Sequence, residues 1–166
     1  MDLKRFERLY EEHAQSLYGF LAYRTGDGVL AEDLVADTFE RALRSRPGFD
    51  PLHGTEKGWL YSIALNLVRD HARRDLAAQR AHAKAEAAAV PPADPSSELE
   101  LVHERDAMMR AFGELTPEER EAVALRFGPD LTLREIARVV GVRPKAVEGR
   151  LYRGLAKLRE VLGGED

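Results

Sequence analysis

The segment Thr132 to Leu162, TLREIARVVGVRPKAVEGRLYRGLAKLREVL, predicts a short helix, a tight turn and a longer helix. Thr132 and Glu135 have the spacing of a capping box, in which two side chains satisfy backbone N–H groups at a helix start. Gly141 suits the left-handed residue that ends a helix. Pro144 suits the first turn of the next helix, where a missing N–H costs no hydrogen bond. This pattern is typical of a helix-turn-helix, whose second helix lies in the major groove of DNA.

The longer helix has two different faces. At about 100° per residue, one apolar stripe is expected to pack on the core. It consists of Val147, Leu151, Leu155, Leu158 and Leu162. The opposite face carries Lys145, Gly149, Tyr152 and Arg153, flanked by Arg150. Between Arg134 and Arg159, eight basic residues are opposed only by Glu135 and Glu148. This excess of positive charge favours DNA, although an ordinary solvated helical hairpin has the same pattern.

The composition restricts the class of protein. A chain of 166 residues forms one or two small domains, and 44% hydrophobic residues suffice for a core. No apolar run is long enough to span a bilayer, so no membrane insertion is expected. The start of the chain, MDLKRFERLYEE, does not resemble a signal peptide. With no cysteine, disulfides and thiolate metal sites are excluded, and we expect a cytoplasmic protein without a metal or cofactor.

The net charge argues for a partner. A free-standing DNA-binding protein is usually basic, because phosphate neutralisation supplies much of its affinity. This chain has a formal net charge of −4 and a pI of about 5.8. Its basic residues are local, which predicts weak DNA binding by the chain alone and help from another protein.

The first part of the chain predicts three helices, over residues 2–24, 29–45 and 56–74, with a break at 25–28 and a loop at 46–55. His13 lies on the apolar stripe of the first helix and is expected to be structural. In the third helix a polar, mostly basic stripe runs beside Trp59 and Tyr61. Its members are Asn66, Arg69, Asp70 and Arg73, with Arg74 alongside. Cations interleaved with aromatic rings suit single-stranded nucleic acid, and a solvated face is an equal alternative.

A change in composition separates two domains. Residues 75–96 are rich in alanine and then in proline, which predicts a linker between a domain at 1–74 and one at 97–166. A frayed helix is an alternative for the alanine-rich part of this segment. The second domain is expected to begin with a helix that Ser97 caps together with Glu100, three residues later. Thr116 and Glu119 then form another capping box, for a helix that ends at Gly128-Pro129.

Five segments in this order resemble bacterial sigma factors of the extracytoplasmic-function group. They are AEDLVADTFERAL, FDP, WLYSIALNLVRDHARR, LTPEEREAVALRF and LTLREIARVVGVRPKAVEGRLYRGLAKLR. The resemblance covers nearly the whole chain outside the linker. It implies an all-α fold of two small helical domains, a sigma region 2 bundle and a sigma region 4 helix-turn-helix, joined by a flexible linker. It also implies a promoter-recognition subunit of RNA polymerase with no catalytic residue of its own.

The same resemblance implies a role for each set of residues. Core polymerase, through the clamp helices of its largest subunit, would contact Leu34, Val35, Asp37, Thr38 and Arg41. The flap would be a further polymerase contact, and an anti-sigma factor a further partner. The minus-ten element would be melted and read by Phe49, Trp59, Asn66, Arg69, Arg73 and Arg74, with Phe49 and Asn66 at a pocket for a flipped base. The minus-thirty-five element would be read by Lys145, Glu148, Gly149, Arg150, Tyr152 and Arg153.

Two positions depart from the family pattern. Arg143 stands where the family often has a small hydroxyl residue, so a helix cap worth roughly 1 kcal/mol is missing. Glu148 stands where a basic residue is common. A carboxylate cannot contact phosphate favourably, but it can accept a hydrogen bond from cytosine N4. We therefore expect Glu148 either to shift minus-thirty-five specificity or to weaken that contact.

Two other classes of protein share features of this sequence. A helix-turn-helix regulator that acts without polymerase would explain Thr132 to Leu162, but not the loop at 46–55 or the arginines near Asn66. An enzyme is disfavoured. Glu100 and His103 have the Glu-x-x-His spacing of di-iron carboxylate bundles, but the second copy that such a site needs is missing.

Overall fold

Helices carry almost all of the described chain, which in this computed structural model comprises residues 1–82, 107–108 and 110–163. In chain order, the helices with both ends described are α1 (Leu3–Thr25), α2 (Gly28–Ser45), α3 (Glu56–His82), α4 (Pro117–Phe127), α5 (Leu133–Val140) and α6 (Pro144–Gly163), and residues 110–113 are also helical. Two one-turn 3₁₀ helices, Arg46–Gly48 and Pro51–His53, lie between α2 and α3. The described residues contain no strand, and the predicted all-α class is confirmed. None of the described helices combines the length and apolar character needed to cross a bilayer.

Helices α1, α2 and α3 form the first domain around one apolar core. Gly26, in the left-handed region at φ 68°, ends α1, and the Asp27 carboxylate caps α2 by accepting the backbone N–H groups of Val29 and Leu30. The core contains fully buried side chains from α1 and α3, namely Leu17, Leu21, Leu60, Tyr61 and Leu65. Tyr61 was expected beside the basic stripe, but it lies in this core with its hydroxyl 3.1 Å from the Ser16 hydroxyl.

The third helix is longer than predicted. It continues to His82, eight residues beyond the expected end at Arg74. Residues 75–82, DLAAQRAH, include several strong helix formers, and no proline interrupts them. The remainder of the predicted linker, the cap at Ser97 and the pair Glu100 and His103 lie outside the described residues.

Helices α4, α5 and α6 form the second domain and confirm the local predictions for it. Both capping boxes are present, at Thr116 with Glu119 and at Thr132 with Glu135. Gly141 has φ 76° and ends α5, so the chain turns directly into α6 at Pro144. Val147, Leu151 and Leu158 are buried, Leu155 is half-buried, and Leu162 is exposed at the end of the apolar stripe.

Close packing of α6 on α4 depends on a glycine. A Cβ atom at Gly154 would lie 3.0 Å from Val123 Cγ2 and 3.5 Å from Glu119 Cβ. The two helices therefore approach more closely here than a larger residue would allow, and this fixes the exposed face of α6 relative to the domain.

Candidate nucleic-acid interface

The loop between α2 and α3 is held in shape by Asp50. Its carboxylate accepts the backbone N–H of Leu52 at 2.9 Å and lies 2.7 Å from His53 Nδ1. The Leu52 N–H bond and then the His53 contact hold the pKa of Asp50 below its ordinary value. These contacts close the second 3₁₀ turn and bring Phe49 back over the start of α3.

Phe49 and Trp59 meet at a cavity of about 340 Å³, part of whose wall is formed by Glu135, Arg138 and Val139 of α5. Their ring centroids are 5.2 Å apart, with an interplanar angle of 50°. Asp50, His53 and Ser62 add polar groups to the lining. The site therefore offers two aromatic surfaces and several hydrogen-bonding groups, a combination that suits a planar, polar ring.

Asn66 does not line this cavity. It lies exposed on α3, seven residues after Trp59, which corresponds to about 10 Å along the helix axis and nearly the same face. The structure thus brings Phe49 and Trp59 together and places Asn66 further along one continuous face, in the direction of the arginines.

The three arginines of α3 differ in their environment. Arg73 and Arg74 are exposed, and Arg73 is paired with Asp70 on its own helix. Arg69 is half-buried, and its Nη2 lies 3.3 Å from Glu121 Oε2 in the second domain. Among the described side chains, Arg74 makes no ion pair. The face therefore has one cation that is accessible without rearrangement and two that are already paired.

The exposed face of α6 presents the predicted minus-thirty-five residues. Tyr152 is 77% exposed. Lys145 Nζ lies 3.2 Å from Glu148 Oε2, so the predicted contact residue Lys145 is already partly neutralised. A Cβ atom at Gly149 would lie 3.1 Å from Arg153 Nη1, so the glycine leaves room for the guanidinium to lie along the helix. Arg150 is half-buried.

Glu119 supports this face, a role that the sequence did not indicate beyond its capping box. Its side chain is only 5% exposed, accepts a hydrogen bond from Lys157 Nζ at 2.8 Å, and lies 3.5 Å from Arg153 Nε. The Lys157 hydrogen bond holds the pKa of Glu119 below its ordinary value, although burial opposes this effect. Glu119 therefore stays ionised and orients two cations of α6.

The residues expected to bind core polymerase divide into buried and accessible groups. Leu34 and Thr38 lie in the core of the first domain, and the Thr38 hydroxyl donates to the Leu34 carbonyl at 2.6 Å. Val35 is half-buried, while Asp37 and Arg41 are exposed. The accessible part of this set is thus Val35, Asp37 and Arg41, and the other two hold the helix in place.

Comparison with known proteins identifies both domains. The family model for sigma-70 region 2 matches residues 9–77, and that for sigma-70 region 4 matches residues 105–158. The RNA polymerase sigma factor CarQ of Myxococcus xanthus is 38% identical over 164 residues, covering 95% of this chain and 89% of CarQ. The ECF RNA polymerase sigma factor BldN of Streptomyces coelicolor is 36% identical, covering 95% of this chain and 60% of BldN.

A solved structure has the same fold. In the complex of the sigma factor RpoE with the anti-sigma factor NepR from Bartonella quintana, the sigma factor matches with a TM-score of 0.77 and 23% identity. The match covers 99% of this chain and 100% of that chain.

Proposed function

This chain belongs to the extracytoplasmic-function group of the sigma-70 family, and we propose that residues 1–74 read the minus-ten element and residues 97–166 the minus-thirty-five element. As a sigma factor it binds core RNA polymerase and directs promoter-specific transcription initiation. Sigma factors are not enzymes, so RNA synthesis belongs to the polymerase. A regulator that acts without polymerase would not account for the region 2 match over residues 9–77.

The cavity that Phe49 and Trp59 line carries the minus-ten proposal. A base that leaves the duplex can stack on these rings, and its edge can meet the polar groups of the lining. Asn66 and the arginines Arg69, Arg73 and Arg74 then follow the separated strand along α3. The chain would lower the cost of opening the promoter by binding unpaired bases more tightly than paired ones.

For the minus-thirty-five element, α6 would enter the major groove with Tyr152 and Arg153 towards the bases and Lys145 and Arg150 towards the backbone. Gly149 permits the close approach, and the Glu119 carboxylate orients Arg153. Of the two expected roles of Glu148, its pair with Lys145 supports the weakened backbone contact, because the Glu148 carboxylate competes with any phosphate for the lysine.

Each of the two domains is also expected to contact a different part of the polymerase. The clamp helices of the polymerase largest subunit would contact α2 at Val35, Asp37 and Arg41, with Leu34 and Thr38 supporting that surface from inside. The flap would contact the second domain. An anti-sigma factor is a further proposed partner, supported by the complex in which a protein of the same fold was solved. We place this activity in the cytoplasm, where the polymerase works.

Run-off transcription with core polymerase, with and without the chain, tests the function over a genomic template library. Absence of any promoter-specific product would overturn it. Phe49→Ala then tests the cavity, since losing one base stack costs about 1–3 kcal/mol and should slow promoter opening about 5- to 150-fold. Leu52→Ala is the matched control, because Leu52 is in the same loop, 88% exposed and outside the cavity lining. A premelted template should restore the Phe49→Ala rate, and equal defects in both variants would contradict the cavity assignment.

A further inference from the structure

The third helix extends beyond the core of the domain that it helps to form. Val68 is its last buried residue, and residues 72–82 are all exposed. Even Leu76 is 53% exposed. At 1.5 Å per residue, residues 72–82 form an exposed helical arm about 16 Å long. Packing in the first domain therefore does not account for this arm.

One face of the arm continues the face that the minus-ten element would meet. Trp59, Asn66, Arg73 and Arg80 follow one another at intervals of seven residues. Because seven residues turn an α-helix by about 700°, each step drifts by only about 20°. The four side chains therefore lie along one side of α3 over about 32 Å, and Arg80 stands at the far end.

The chemistry of this face changes along the helix. The aromatic rings of Phe49 and Trp59 meet at the end beside the cavity. In α3, no phenylalanine, tyrosine or tryptophan follows Tyr61. Unpaired bases are held by stacking on aromatic rings, whereas cations contact phosphates without needing unpaired bases. The cavity end therefore suits unpaired bases, and the arm suits the backbone of paired DNA.

The aspartates near the arm leave Arg80 accessible. Asp75 lies about 140° from Arg80 around the helix, and its Oδ2 is 3.6 Å from His71 Nδ1. Asp70 is paired with Arg73. In the part of the chain that the structure describes, Arg80 is exposed and makes no ion pair. A cation in the last turn also interacts favourably with the helix dipole, so a purely helix-stabilising role is the alternative.

The direction of the chain indicates which part of the promoter the arm faces. From His82 the chain continues to the second domain, which would read the minus-thirty-five element, upstream of the minus-ten element. The cavity end of α3 thus faces the melted element, and the arm faces the duplex upstream of it.

We propose that the arm of α3 is a further DNA-binding surface, on which Arg80 contacts a backbone phosphate of the duplex just upstream of the minus-ten element. The inference rests on the proposed reading of the minus-ten element by the first domain. Arg80 lies about 21 Å beyond Asn66 along the helix axis, which spans at most about six base pairs at about 3.4 Å each. The arm thereby holds paired DNA next to the point at which the strands separate.

Holoenzyme binding to two templates tests the arm. Both templates come from a promoter found by run-off, carry an unpaired minus-ten element and lack the minus-thirty-five element, and only one retains the duplex between the two elements. On that template, Arg80→Gln should reduce the slope of log K against log salt by about 0.9, as the loss of one phosphate contact does. If variant and wild type bind equally at 1 M salt, the affinity at 0.1 M salt falls about 8-fold. The affinity for the truncated template should not change.

Two further variants separate a phosphate contact from an effect on the helix. Arg80→Lys keeps the charge and should bind the longer template within about twofold of the wild type, because lysine also binds phosphate. Arginine, lysine and glutamine have similar helix propensities, so neither change at residue 80 should shorten α3. Arg8→Gln removes the same charge from an exposed site on α1 and should bind both templates as the wild type does.

Three results would overturn the proposal. Equal losses on the two templates would place Arg80 at the separated strand. An unchanged salt slope would leave Arg80 with the helix-stabilising role alone. Weaker binding of Arg80→Gln to core polymerase without DNA would assign the arm to a protein partner.

Neutral methylphosphonate linkages, placed one at a time in the upstream duplex, locate the contact. The wild type should lose affinity at a position where Arg80→Gln loses no more, since the two changes remove the same interaction. Identical profiles for the two proteins would contradict the contact. The sigma function is judged separately, from the wild-type run-off product, and the cavity from Phe49→Ala. A failed test of Arg80 with an active wild type thus removes only the role of the arm.

Discussion

Replacing Glu148 by arginine tests how this chain reads the minus-thirty-five element. Glu148 lies on the exposed face of α6, with its Oε2 3.2 Å from Lys145 Nζ. Both side chains are largely exposed, and such an ion pair is worth only about 0–1 kcal/mol. The fold should therefore tolerate the change, while the charge presented to DNA changes by two units and Lys145 is released.

The size of the effect follows from counterion release. Each phosphate that a protein neutralises steepens the plot of log K against log salt by about 0.9. If variant and wild type bind equally at 1 M salt, one new phosphate contact raises the affinity of the variant at 0.1 M salt about 8-fold, and two contacts raise it about 60-fold. Glu148→Arg adds one contact if only Lys145 reaches a phosphate, and two if the new arginine also does. We expect the holoenzyme to bind minus-thirty-five duplex about 8- to 60-fold more tightly at 0.1 M salt.

The assay is a salt titration of holoenzyme binding to minus-thirty-five duplexes, repeated with each base pair of the element substituted. Glu160→Arg is the matched control, because it makes the same charge change on the same helix about 18 Å away, beyond the screening length at 0.1 M salt. Loss of preference at a single base pair would assign Glu148 to base reading, as expected for hydrogen bonding to cytosine. An unchanged slope together with unchanged preference would refute a role for Glu148 at the interface.

Three further predictions concern stability, each measured by thermal unfolding of the full chain. Glu119→Ala removes a buried carboxylate that binds Lys157 and completes a capping box. It should lower the free energy of unfolding by about 1–3 kcal/mol and Tm by several degrees. The control Glu118→Ala, at an exposed neighbouring residue, should change the free energy of unfolding by no more than about 0.5 kcal/mol. Because the folded pKa of Glu119 lies below its unfolded value, this stabilisation is present above the unfolded pKa and is lost as the pH falls through the folded pKa. The Tm gap between wild type and Glu119→Ala should narrow over that acid range, and a constant gap would argue against the ionised pair. Leu17→Ala, at a fully buried site, should cost about 2–5 kcal/mol, and an effect under 1 kcal/mol would contradict the described core.

Local features of the fold were predictable because their causes are local. The capping box at Thr132 and Glu135, and the left-handed residue at Gly141, each depend on side chains within four positions of the backbone they satisfy. The predicted end of α3 at Arg74 was wrong, because the helix continues to His82. The composition of residues 75–82 predicts a linker with a frayed helix as the alternative, and the helix is what forms, because alanine-rich sequence continues a helix when no proline stops it.

The candidate site was predictable in its residues but not in its arrangement. Phe49 and Trp59 were both assigned to the minus-ten surface, and the resemblance to a known family supplied that assignment. Their meeting at one cavity depends on the turn that Asp50 closes. Thr38 shows the opposite case, since the resemblance assigned it to the polymerase contact and the packing of α2 buries it, with its hydroxyl donating to the Leu34 carbonyl.

By itself, then, the sequence determined the helices, their caps, the two-domain order and the family, since periodicity and short motifs report contacts between near neighbours in the chain. Only the tertiary structure decided which side chains the carboxylates of Glu121 and Glu135 contact. Glu121 meets Arg69 across 52 positions, and Thr55 meets Glu135 across 80. No local pattern encodes such pairs, because they exist only when two separately folded surfaces are brought together.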